Sequence, residues 1–228
     1  MALIKYGGGI VQMSGSIAGD VHARNRFGNY TRSRTKPVNP KSTRQVLIRE
    51  CLANLVQRWR ATLTAGQRTA WATYAAAVAM NNRLGETVYL TGFNHYLRGN
   101  IVALMEACPP RDDGPTDLAL PEQDPTFAIA ASVASQKITV TFDEDLPWTD
   151  EVNSFLLIEM GEPQNATRNF FNGPWRRTAI LVPVDTSPKE VDPCFTLVLG
   201  QKIWCYGRIF RADARLSQPF RASCTVSA

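Results

Sequence analysis

Pro109-Pro-Arg-Asp-Asp-Gly-Pro-Thr-Asp-Leu-Ala-Leu-Pro-Glu-Gln-Asp-Pro125 separates two halves of the chain that follow different periods. Its five prolines and five acids, against a single arginine, read as a stiff, solvated linker and a domain boundary. On its N-terminal side apolar residues recur every three or four positions. On its C-terminal side they alternate.

Downstream, candidate strands lie at 127–134, 137–142, 154–160, 178–184, 195–199, 202–211 and 219–226, with turn residues between them. Seven short alternating strands in roughly 100 residues predict an antiparallel β-sandwich able to fold by itself.

Upstream, Ser42-Thr-Arg-Gln45 and Thr64-Ala-Gly-Gln67 each read as a capping box, in which the hydroxyl and the glutamine satisfy backbone donors that a helix start leaves free. Ile48, Cys51, Leu52, Leu55, Val56 and Trp59 then form one apolar stripe, and Trp71, Tyr74, Ala75 and Val78 a second. The short joint predicts an antiparallel helix pair. Thr91 begins a third helix with Phe93, Tyr96, Leu97, Ile101, Leu104 and Met105 on its apolar face; His95 reads as an ordinary histidine beside it.

Ahead of the helices runs Arg24-Asn-Arg-Phe-Gly-Asn-Tyr-Thr-Arg-Ser-Arg-Thr-Lys-Pro-Val-Asn-Pro-Lys-Ser-Thr-Arg-Gln45, basic and free of acids. Gly28 interrupts it, and Pro37 and Pro40 hold the residues before them extended. It lacks the apolar pattern of a helix or a two-sided strand, so it reads as an arm that orders along another surface. Its candidate contacts are Arg24, Arg26, Phe27, Tyr30, Arg32, Arg34, Lys36, Lys41 and Arg44. Residues 1–20 mix short apolar pieces with glycines and read as a small hairpin or a loose lead-in. Gly7-Gly-Gly9 lacks the Gly-Lys-Ser/Thr ending of a phosphate loop.

The net charge of +5 is unevenly held. Residues 1–108 carry 14 Lys/Arg against 4 Asp/Glu, whereas 126–228 carry 10 against 11. An acidic or polyanionic partner therefore belongs to the first half. Cys51, Cys108, Cys194, Cys205 and Cys224 form no CxxC, and His22 and His95 stand at no metal-ligand spacing with them. Buried reduced thiols are expected, with a Cys205–Cys224 disulfide left open. Asp143-Glu-Asp145 reads as a solvated loop rather than a cation site. Neither a Ser–His–Asp pattern nor a Gly-x-Ser-x-Gly elbow occurs, so no enzyme, metal or cofactor is expected. The first residues have too short an apolar run for a signal peptide, and no stretch is long enough for a membrane span, which implies a soluble protein made in the cytoplasm.

Two resemblances add to this. The ending Gly200-Gln-Lys-Ile-Trp-Cys-Tyr-Gly-Arg-Ile-Phe-Arg-Ala-Asp-Ala-Arg-Leu-Ser-Gln-Pro219 resembles the final hairpin of fibronectin type III or immunoglobulin-like modules, although no tryptophan falls clearly on the early strand. Gly15-Ser-Ile-Ala-Gly19, Arg24-Asn-Arg-Phe-Gly-Asn-Tyr30, Lys36-Pro-Val-Asn-Pro40, Leu63-Thr-Ala-Gly-Gln-Arg-Thr-Ala-Trp71 and Leu90-Thr-Gly-Phe-Asn94 resemble an uncharacterised family from tailed bacteriophages and prophages. That resemblance implies a virion context and no chemistry.

The expected architecture is α+β in two parts: residues 1–45 an extended basic arm, 46–108 a helical region, 109–125 the linker and 126–228 an Ig/FnIII-like β-sandwich. The expected function is a structural protein of a phage particle, a capsid cement or decoration protein whose arm ties neighbouring subunits of the major capsid protein. A head–tail junction or tail protein, and a nucleic-acid binder using the arm, are the alternatives. Other virion proteins and further copies of the chain are the remaining expected partners, and no membrane is.

Overall fold

The computed structural model describes residues 2–82 and 84–228. The chain is a mixture of three helices and mostly antiparallel strands in four sheets. Each helix starts at the residue whose hydroxyl the sequence marks as its cap. α1 (Thr43–Ala61) follows Ser42, α2 (Ala65–Ala77) follows Thr64, and α3 (Gly92–Met105) follows Thr91. At Thr64 the box is complete: Gln67 N donates to the threonine hydroxyl, and Thr64 N donates to the Gln67 side chain.

The first sheet departs from the expected arm. β1 (Ala2–Ile4), β2 (Gly15–Ile17), β3 (Asp20–Asn25) and β4 (Gly28–Ser33) pair in the order β1-β4-β3-β2. Arg24 to Ser33, expected to lie extended without strand partners, is therefore half of a hairpin. Its turn explains why. Asn25 Oδ1 accepts from Phe27 N at 2.9 Å, and Gly28 takes φ 117°, so the glycine read as a break is the residue that closes the turn. The backbone pairing is supplied by β1 and β2, whose short apolar pieces give little periodicity. Residues 34–41 form no regular element. A small hairpin, β5 (Ala79–Asn81) with β6 (Thr87–Tyr89), stands between α2 and α3.

Beyond residue 125 the strands are β7 (Ala128–Ser132), β8 (Lys137–Thr141), β9 (Phe155–Gly161), β10 (Trp175–Leu181), β11 (Lys189–Val191), β12 (Lys202–Phe210) and β13 (Phe220–Thr225). The expected strand at 195–199 is absent, and Lys189–Val191 pairs with β8 in its stead. Two sheets result, β11-β8-β7 and β10-β9-β12-β13, and both feed one apolar cluster that includes Ile138, Val140, Leu156, Ile158, Ile203 and Ile209. All five cysteines are free.

The alternate residues of β9 and β12 face the other way. Phe155, Leu157 and Phe210 join Leu55, Trp71, Tyr74 and Tyr96 in a second cluster, so the helices pack on the back of the four-stranded sheet. This is why β9 reads as a continuous apolar run instead of an alternating one.

The 109–125 segment differs from the solvated spacer its composition implies. Arg58 donates two bonds of 2.7 Å to the Asp112 carboxylate, Tyr96 donates to it at 3.3 Å, and Trp71 Nε1 donates to the Asp112 carbonyl at 2.9 Å. Arg215, which is 6% exposed, pairs with Asp117 and Asp213. Pro115, Pro121 and Asp124 are buried. Two of the five acids that suggested solvent, Asp112 and Asp117, are counter-ions to arginines between helices and sheet. The prolines hold the chain extended there.

Candidate functional site

The first fifty residues carry nine Lys/Arg against two Asp/Glu. Among their described side chains none is buried. Four paired strands without one buried residue among those described are unusual, because a small sheet draws its stability from an apolar face packed against something.

The pleat divides the candidate residues between two faces. Arg24 pairs with Asn29 and Arg32 with Val21, which places the two arginines on opposite sides. On Arg24's side the polar groups satisfy one another. His22 Nδ1 lies 2.8 Å from the Thr31 hydroxyl and 3.5 Å from the Tyr6 hydroxyl, and Arg24 donates to Gln12 at 3.3 Å. The opposite side presents Leu3, Val21, Ala23, Tyr30 and Arg32, brought together by the registers Leu3↔Tyr30, Ala23↔Tyr30 and Val21↔Arg32. It is an apolar strip with a cation at one end.

At its other end the strip opens into a cleft of about 530 Å³ against the β5–β6 hairpin, lined by Leu3, Asn25, Phe27, Asn82, Val88 and Leu90. Phe27 therefore belongs to the wall of this cleft. Arg26 is in the exposed turn beside it, and Lys5 pairs with Glu86 across the same junction.

The remaining candidates are spread out. Arg34, Lys36 and Lys41 are exposed along the irregular segment. Arg49 of α1 donates to Asn39 at 2.9 Å and fastens that segment to the helix. Arg44 is exposed on the first turn of α1, close enough to Glu159 and Arg177 to act on both. Burial raises the Glu159 pKa despite Arg44 and Arg208, and burial, reinforced by Arg44, pushes Arg177 down to about 10. Arg177 pairs with Glu106. α1 adds a shallow apolar groove of about 490 Å³ over Leu52, Ala53 and Val56, with Arg49 and Arg60 at its rim.

The structure thus brings together Phe27, Tyr30 and Arg32 with Leu3 and Val21, and leaves Arg24, Arg34, Lys36, Lys41 and Arg44 in other settings. Leu3, Val21 and Val88 were missed by the sequence reading, whose only available signal was the Asn25-to-Gly28 turn. Among the described residues no group of three or more His, Cys, Asp or Glu is placed to hold a metal ion, and no helix is long and apolar enough to cross a membrane. The arrangement is suited to docking. No protein-family model, curated protein or solved structure matches the chain.

Proposed function

We propose that this chain is a structural protein of a bacteriophage particle, a capsid cement or decoration protein, without enzymatic activity, that attaches through its N-terminal sheet and the basic segment behind it. The observation that carries the reading is a basic stretch of fifty residues, four paired strands within it, with no buried residue among its described side chains. Such a sheet gains its missing apolar burial when another surface covers it. The partner is the major capsid protein or another virion protein with an acidic patch, and several copies of the chain sit on one particle. The resemblance of Arg24 to Tyr30 and Leu63 to Trp71 to phage and prophage proteins supplies the context.

The region after residue 125 is read as an Ig/FnIII-like sandwich. What supports this is strand order: the first, second and fifth strands share one sheet, and the third, fourth, sixth and seventh the other.

The test replaces Arg24, Arg26, Arg32 and Arg34 with glutamine. Attachment to assembled shells is expected to fall sharply, with only weak, salt-sensitive attraction to DNA before and after. If shells are bound equally well and a steep salt slope for DNA shrinks by up to about 0.9 per lost phosphate contact, the protein is a nucleic-acid binder and the cement reading fails.

A further inference from the structure

The face of the four-stranded sheet that the helices cover at its Phe210 end carries, at its other end, an arrangement unrelated to the N-terminal sheet. On β12, Lys202, Trp204, Tyr206 and Arg208 alternate onto this face, Trp204 buried beneath its neighbours. In one row Phe171 stacks on Trp204 at 5.6 Å, with Arg168 over the first ring and Lys202 over the second. In the other, Trp175 stacks on Tyr206 at 5.4 Å, with Arg221 and Arg208 over them at 5.5 and 5.4 Å. Cations within about 6 Å of a ring centroid are held there by the ring's quadrupole.

The rows are fixed from below. Gly161 leaves room for Phe171 to lie flat on the sheet, and a methyl group there would overlap its ring. Gln164 and Lys202 exchange two backbone bonds of 2.9 Å, which fastens the intervening loop to β12. None of the four cations belongs to an ion pair of the described chain. Arg168 and Arg221 are exposed and carry no ion pair among the described residues, a state that favours an anionic partner, whereas Arg208 has a buried Nε and lies close enough to Glu159 to act on it.

Two observations choose among anions. Every ring in the rows is already flanked by another ring and a cation, so no ring is left free for a base or a sugar to stack on. In the same loop, Phe170 is 67% exposed, while its carbonyl accepts from Arg168 Nε at 2.9 Å. An exposed aromatic beside an arginine bonded to its own backbone is the composition of a protein–protein hot spot. We propose that this face is a second attachment surface, and that its occupant is an acidic protein surface with an apolar recess that receives Phe170. The inference goes beyond the N-terminal attachment and stands without it.

The experiment uses the full chain with Arg24, Arg26, Arg32 and Arg34 already changed to glutamine, so that the N-terminal charges contribute little. Three immobilised probes are compared: poly-L-glutamate, a random glutamate–tyrosine copolymer, and a short DNA duplex. The copolymer is expected to bind most tightly. Arg168→Gln with Arg221→Gln should weaken it about tenfold and flatten its salt dependence. Phe170→Ala should remove the preference of copolymer over poly-L-glutamate while leaving the melting temperature unchanged. DNA bound as tightly as the copolymer, with Phe170→Ala neutral, would identify a phosphate reader and overturn the proposal. So would binding that none of the substitutions alters.

Discussion

His95 is 2% exposed, its ring is edge-on to Tyr74 at 5.0 Å, and its Nε2 has no hydrogen-bond partner among the described residues. Burial, helped by nearby Arg98, pushes its pKa down to about 4. Between that value and its ordinary 6.5, the unfolded chain binds a proton that the folded chain refuses. Stability must therefore fall as pH falls through this window, by at most about 1.4 kcal/mol per pH unit. Urea midpoints measured from pH 7 to pH 4 should show this slope, and His95→Phe should flatten it. The sequence placed His95 beside an apolar stripe without revealing its full burial, because the covering comes from residues far along the chain. The faces of the first sheet were equally hidden. Arg24 and Arg32 look equivalent in sequence, yet strand pairing sends them to opposite sides. A partner on the open strip touches Arg32 alone. Arg32→Gln should weaken shell attachment roughly tenfold and Arg24→Gln less than about threefold, measured by pelleting with shells.

Helix starts were legible because a cap is local: a hydroxyl, a glutamine three residues on, and an apolar run. Most strands after residue 125 were legible for the same reason. The 109–125 segment was not, since its role depends on partners up to about a hundred residues away. Asp112 shows what composition concealed. Its carboxylate takes both bonds of Arg58 and one from Tyr96, so the segment acts as a clasp on α1 and α3. Asp112→Asn keeps the shape and removes the charge. Unfolding stability should drop by about 2 kcal/mol, read as a melting temperature lower by roughly 5 °C. Gly99 marks the other close approach, where α3 meets the backbone of Ala214 with no space for a methyl group. Its glycine reads from sequence as a weak point in a helix; only the packing shows its use.

For the molecule as a unit, burial is concentrated after residue 50. Removing residues 1–41, which leaves the Ser42 cap of α1 in place, should leave the melting temperature within about 2 °C of the parent while abolishing shell attachment. Residues 126–228 alone should behave differently, because Phe155, Leu157 and Phe210 lose the helices that cover them. That fragment should aggregate or bind a hydrophobic dye, and a soluble fragment with a sharp melt would show that the helices are dispensable. The two truncations together separate what holds the fold from what holds the partner. The absence of buried residues among the described side chains of the first fifty also sets how the molecule behaves under tension. On the proposed attachment, a load between a shell and the body of the protein passes through a sheet secured by backbone bonds and a few surface side-chain bonds, with no described core of its own. Those strands peel before either apolar cluster is disturbed, and the released chain lengthens instead of transmitting the full force. When the load is removed the same bonds re-form without any core to rebuild. On that proposal the sheet is a compliant joint: it yields first, and it recovers.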